Sequence, residues 1–203
     1  MLVVKDLALL TGKKVNLTLE KGQRYVLQGP NGSGKTVLLR TLAGLYPTTY
    51  TEFVFEGKKL DDWIMEDYRS QVLYTGTTTH LPGEMSSEEF LAAPFKLTVY
   101  QDMNPSLAVE EYLSRWKLAG KKLSHLSSGQ KQLLIILRSL SLHPRLLLLD
   151  EPTSHMDPDR TKEVEELLLK WQTPEKSYLM ISHSEKQAAS MGKMIRFNEL
   201  ILE

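Results

Sequence analysis

With 203 residues, 41% of them hydrophobic, the chain is long enough for one well-packed domain with a subdomain set into it, and too short for two independent domains. Lysine plus arginine equals aspartate plus glutamate at 25 each, so no bulk positive charge argues for a nucleic acid partner and any phosphate must be bound locally. The absence of cysteine excludes disulfides and thiolate metal sites. No apolar run approaches the ~20 residues of a membrane-spanning helix and no basic stretch followed by an apolar one opens the chain, so the expectation is a soluble intracellular protein.

Met1 to Leu7 and Lys13 to Leu19 alternate apolar and polar residues as short strands do, and after the Lys21-Gly22 turn "RYVLQG" reads as a third strand. A helix follows from Lys35 to about Leu45. Thr51 to Gly57 and Gln71 to Thr75 are strand-like. From about Leu81 to His143 apolar residues recur at helical spacing, with Pro82, Pro94 and Pro105 as punctuation, which predicts a helical insert at 81–143 in a core of about 1–80 and 144–203. "RLLLLD", Arg145 to Asp150, is a continuous apolar run of strand length, as expected of a central parallel strand buried on both faces. Pro158 to Trp171 reads as a helix, "SYLMIS" as a strand, Glu185 to Met191 as a short helix and "MIRF" as a last strand. This alternation predicts an α/β fold with a mostly parallel central sheet, joined to an N-terminal antiparallel β portion and the inserted α-helical subdomain.

The densest local pattern is "GPNGSGKT": Gly29, Pro30, Asn31, Gly32, Ser33, Gly34, Lys35 and Thr36. It fits G-x-x-x-x-G-K-[ST] and sits after a strand and at the start of a helix, the context in which such a loop binds phosphate. Glycines let successive backbone N–H groups curl inward, and the helix that follows adds the positive end of its dipole. Lys35 would reach the β- and γ-phosphates and the Thr36 hydroxyl would ligate Mg²⁺. Such a site needs a second acidic strand end, which "RLLLLDEPT" supplies. Adjacent carboxylates on an extended chain diverge, so Asp150 is expected to hold Mg²⁺ through water and Glu151 to act as general base. His183 ends the apolar strand "YLMISH". In a parallel sheet the carboxyl ends of strands line one edge, so His183 is expected beside Asp150 and the phosphate loop, as a sensor of the γ-phosphate.

The helix that begins in "SHLSSGQKQLLIILRSL" opens on Ser127, Ser128, Gly129 and Gln130. Ser127 or Ser128 is a good N-cap, and Leu133, Leu134, Ile136, Leu137 and Leu140 form a buried face. Capping accounts for the serines and leaves Gly129 and Gln130 over. Free N–H groups, hydroxyls and a glycine again make a phosphate-binding surface. Because Gly29 to Thr36 already wraps the chain's own phosphates, this second surface is expected to face nucleotide held by another subunit.

These motifs together resemble the ATP-binding subunits of ABC (ATP-binding cassette) transporters, over essentially the whole chain. Gly29–Thr36 is similar to the Walker A loop, and Leu126–Gln130 to the LSGGQ signature with Ser128 in place of its first glycine. Leu146–Asp150 is similar to Walker B, Glu151 to its catalytic glutamate, Ser154–Asp157 to the D-loop and His183 to the switch histidine. The resemblance implies a P-loop NTPase fold of the ABC type. It also implies ATP and Mg²⁺ as ligands and a homodimer in which each copy sandwiches ATP between its own Walker A loop and its partner's signature. Separate transmembrane permease subunits and a peripheral place on the cytoplasmic face of the inner (plasma) membrane follow from it too.

Two departures stand out. The family carries a glutamine after the strand corresponding to Gln71–Thr75, where it touches Mg²⁺ and faces the membrane partner; here Thr77 stands near that place as a candidate metal ligand, and Gln71 lies within the strand. An aromatic that stacks on adenine is absent from Leu9, Leu10 and Thr11, which removes stacking worth ~1 kcal/mol and predicts weaker or less adenine-selective binding. In the insert, Phe90, Leu91, Phe95, Leu107, Tyr112, Leu113 and Trp116 are expected to pack, with any exposed aromatics forming a groove for the membrane partner. The leading function is the ATPase subunit of an ABC transporter. The alternatives are a soluble ABC ATPase acting on nucleic acid or translation, disfavoured by the neutral charge, and a weakly hydrolysing nucleotide-gated module. "EDYRSQVLYTGTTTHL" is similar to small subunits of metal-ion (iron) export systems.

Overall fold

A computed structural model describes residues 1–76, 81–103, 109–154 and 156–202. The chain runs β1 (Leu2–Ala8), β2 (Lys14–Leu19), β3 (Arg24–Gln28), α1 (Lys35–Leu42), β4 (Glu52–Phe55), β5 (Lys58–Lys59), α2 (Met65–Gln71) and β6 (Val72–Thr75). It continues through α3 (Ser87–Ala92), α4 (Val109–Arg115), α5 (Ser128–Ser141), β7 (Leu146–Asp150), α6 (Pro158–Trp171), β8 (Ser177–Ile181), α7 (Glu185–Met191) and β9 (Lys193–Arg196).

Two sheets form. An antiparallel one has the order β2-β1-β4-β5, and a parallel one has the order β6-β7-β8-β3-β9. The expected pairing of an antiparallel N-terminal portion with a parallel centre is therefore observed. In β7 every residue is buried, as a strand covered on both faces requires. Its side chains alternate between two cores: Leu147 and Leu149 join a cluster with α5, α6 and Trp116, while Leu146 and Leu148 join one with α1 and the antiparallel sheet. The parallel sheet is thus the middle layer of three. Its register sets Leu27 beside Ile181 and Ile181 beside Asp150, so β3, β8 and β7 end side by side and the segments that leave them share one edge.

Between 81 and 143 the described residues form helices and short turns, with Phe90, Leu91, Leu113 and Trp116 buried and Phe95 and Tyr112 half-buried. Leu107 and Pro105 lie outside the described residues. Local differences from the sequence reading are small and physical. Gln71 does not lie in a strand: it is the last residue of α2, a helix whose seven residues are too few to show apolar periodicity. The first helix stops at Leu42, because Gly44 with φ 66° turns the chain away. No helix among the described residues is long and apolar enough to cross a membrane.

Candidate functional site

The loop from Gly29 to Thr36 turns between β3 and α1. Gly34 sits at the N-cap of α1 with φ 113°, a conformation that side chains rarely adopt, and no side chain caps the N–H groups of the first turn. The loop rests on Phe197, a fully buried ring just after β9. A Cβ on Gly29 would stand 3.0 Å from Phe197 Cβ, and one on Gly34 3.3 Å from its Cζ. Lys13 ties the loop down from the other side by donating to the Ser33 carbonyl at 2.9 Å. The Ser33 hydroxyl is buried and has no hydrogen-bond partner among the described residues. An uncapped helix start, a curled backbone and an orphaned hydroxyl make a cradle whose spare groups all bind oxyanions.

Lys35 is buried, and its ammonium donates to the carbonyls of Gly29 (2.8 Å) and Pro30 (2.9 Å), which leaves one of three protons for a ligand. Burial lowers its pKa, opposed by the carboxylates of Glu151 and Asp150. The Thr36 hydroxyl donates to Asp150 Oδ1 at 3.1 Å, and the Tyr74 phenol donates to Asp150 Oδ2 at 2.8 Å. The carboxylate that ends β7 is thus gripped at both oxygens.

Glu151 departs from expectation in its backbone. The chain does not stay extended beyond Asp150: Glu151 has φ 48°, and Ser154 donates back to its carbonyl at 3.2 Å, so a tight turn rather than strand pleat parts the two carboxylates. A left-handed non-glycine residue costs ~1 kcal/mol or more, and strain of this kind gathers at working sites. His183 leaves β8 beside it and sets Nε2 2.9 Å from Glu151 Oε1, with both side chains open to solvent. A cleft of about 450 Å³ joins Thr11, the loop, Glu151 and His183. A larger one of about 840 Å³ opens beyond the same Glu151–His183 pair toward Met156 and Gln187.

Thr77 lies outside the described residues, as does His155 of the expected D-loop; Asp157 caps α6 by accepting from Arg160 N at 2.9 Å. Ser127 is the N-cap of α5, and Gln130, left over by the sequence reading, closes a capping box: its Oε1 accepts from Ser127 N at 3.1 Å while Ser127 Oγ accepts from Gln130 N at 3.3 Å. Ser127 and Ser128 are exposed, and among the described residues none of Ser127 to Gln130 lines the cleft of the phosphate loop. Leu9 is buried and Leu10 exposed. Sequence reasoning missed Tyr74, Lys13 and Phe197. None sits in a motif, and each acts across a distance in sequence that only the fold closes.

Residues 12–154 match the model of the ABC transporter family. A probable iron export ATP-binding protein FetA of Escherichia coli is 30% identical over 186 residues, covering 89% of this chain and 81% of that protein. A lipoprotein-releasing system ATP-binding protein LolD of Francisella tularensis is 30% identical over 207 aligned positions, covering 98% of this chain and 89% of that protein. Among solved structures, a dimeric post-hydrolysis state of an ATP-binding cassette bound to ADP and Pi shares the fold, with a TM-score of 0.78 at 21% identity over 97% of this chain and 94% of that one. With the motif order, the three-layer fold and these matches in agreement, the chain belongs to the ABC transporter family, as an ATP-binding, ATP-hydrolysing subunit.

Proposed function

We propose that two copies of this chain close on ATP, each offering its Ser127–Gln130 helix tip to the other's Gly29–Thr36 loop, and that closure and reopening drive separate membrane-spanning subunits from the cytoplasmic face. The observation that carries this is the incomplete cleft. The loop, Glu151 and His183 meet in one cleft, while Ser127 and Ser128 stay exposed outside it. That a cassette sharing the fold is dimeric with ADP and Pi bound supports the pairing of two copies.

In this reading the loop N–H groups, the Ser33 hydroxyl and Lys35 bind the phosphates. Thr36 and Asp150 offer two hard oxygens 3.1 Å apart, a donor set that suits Mg²⁺, which takes a few protein oxygens and completes its shell with water and phosphate. Bound there, Mg²⁺ would offset charge on the phosphate oxygens. Glu151 takes a proton from the attacking water on the carboxylate oxygen not engaged by His183. His183 holds that carboxylate in place and senses the γ-phosphate. Leu9, Leu10 and Thr11 leave adenine without an aromatic to stack on. We further propose that residues 81–143 act as the helical subdomain facing the membrane partner, with about 1–80 and 144–203 as the core. The likeness to FetA supports a lean toward metal-ion export; the equal likeness to LolD supports the reading that the membrane subunits, not this chain, choose the cargo.

A mixing experiment tests the shared site. Lys35→Ala disables the loop, and Gly129→Asp blocks the helix tip. Each variant alone is expected to be inactive in steady-state ATP hydrolysis. Mixed, they can form a dimer with one intact site, so a substantial part of wild-type turnover returns; no recovery on mixing would contradict the proposal.

A further inference from the structure

Asp150 has a second handle. Its Oδ1 accepts from Thr36, inside the phosphate loop, but its Oδ2 accepts from the phenol of Tyr74 at 2.8 Å. That phenol is itself held: Arg40 Nε donates to it at 3.1 Å, and the guanidinium lies over its ring with 5.3 Å to the centroid. Arg40 also donates to Tyr46 at 2.8 Å, so two phenols hold this guanidinium. Space for this pose comes from Gly76: a Cβ there would stand 2.4 Å from the Tyr74 hydroxyl oxygen, closer than atoms can approach. Gly76 does not need a left-handed backbone, so the room it leaves for the phenol is what distinguishes it from alanine. Nearby, Thr75 is anchored to α5, its hydroxyl donating to Ser139 at 2.8 Å, which fixes the strand end from which Tyr74 projects.

We propose that Tyr74 is a positioning residue for the metal-bearing carboxylate of Asp150, held in place by Arg40 and by the space that Gly76 leaves. A carboxylate fixed at both oxygens presents its remaining lone pairs to a cation in one direction, and groups that orient a metal ligand in this way govern metal affinity. The phenol and Arg40 also line a cleft of about 530 Å³ between the end of β6 and α5, shared with Phe90 and Arg138. Tyr74 therefore spans from that cleft to the carboxylate. The inference rests on the reading of Asp150 as the Mg²⁺ carboxylate.

The test is equilibrium binding of a fluorescent ATP analogue, titrated with Mg²⁺ and repeated in EDTA, for wild type, Tyr74→Phe and Gly76→Ala, with folding checked by circular dichroism. Tyr74→Phe removes one oxygen and keeps the ring. Gly76→Ala keeps the phenol and displaces it. Both are expected to raise the Mg²⁺ concentration at half-effect by roughly tenfold, while affinity in EDTA stays within about twofold of wild type. A wild-type Mg²⁺ titration for Tyr74→Phe overturns the proposal, as does an equal loss of affinity in EDTA. A wild-type chain that binds the analogue without any dependence on Mg²⁺ would instead overturn the reading of Asp150 on which it rests.

Discussion

His183 Nε2 and Glu151 Oε1 lie 2.9 Å apart, although 32 positions separate the two residues in the chain. Adjacent parallel strands bring them together: β7 ends at Asp150 and β8 at Ile181, paired in register, and each side chain follows within two residues of its strand end. The pair faces the phosphate loop across a single cleft. If Glu151 is the base, Glu151→Gln keeps size and hydrogen bonding but cannot take a proton. Turnover is expected to fall by about 100-fold or more while ATP binding persists. His183→Ala should lower turnover less, since it removes the group that holds the carboxylate and leaves the base. Steady-state phosphate release, measured beside equilibrium ATP binding, separates the two.

Gly34 carries a second prediction. With φ 113° and a notional Cβ 3.3 Å from the Phe197 ring, Gly34→Ala must distort the loop or push the ring. The strain is expected to be about 1–3 kcal/mol, appearing as a roughly five- to 150-fold loss of ATP affinity by isothermal titration calorimetry. Gly32→Ala, which has φ 72° but nothing within 4 Å of its Cβ, should cost less.

The two serines at the start of α5 should separate. Ser127 caps the helix, so Ser127→Ala is expected to cost about 1 kcal/mol of stability by urea denaturation. Ser128 is exposed and is the first residue of α5, so Ser128→Ala should leave stability near wild type and weaken association in ATP instead.

A fourth prediction concerns alkaline pH. Burial raises Tyr50, Tyr74 and Tyr178 to about 12, and raises Tyr68 and Tyr100 as well, from the ordinary value of 10.0. In the unfolded chain these phenols ionise near 10.0, so above that pH the unfolded state releases protons that the folded state retains. For Tyr50, Tyr74 and Tyr178 this contribution to stability is complete below pH ~10 and is lost as pH rises through about 12. A titration at 295 nm should fall short of eight phenolates at about pH 11 and gain the remainder in one step with unfolding.

Much of this was legible in the sequence because it is local or follows from strand topology. Gly29–Thr36 carries its own turn chemistry, "RLLLLD" its own burial, and the parallel order alone brings Asp150 and His183 to one edge. The helices at Pro158–Trp171 and Glu185–Met191 have the same bounds in the sequence and in the structure, where Asp157 and Ser184 cap them. What stayed hidden depends on distance. Tyr74 reads as one more strand residue until the fold sets its phenol on a carboxylate 76 positions away. Phe197 reads as the end of a strand until its ring meets two glycines of the loop. The turn at Glu151 was missed because nothing in "DEPT" marks a left-handed glutamate, and α2 because seven residues carry too little periodicity.

The measurement that bears most directly on the central claim is the mass in solution of Glu151→Gln, saturated with Mg-ATP, by light scattering across a range of concentrations. Two copies that share their nucleotides should bring it to twice the 23.2 kDa of the chain, return it to the single mass when ATP is replaced by ADP, and lose the dimer on Gly129→Asp. A single mass in ATP at every concentration would contradict the account.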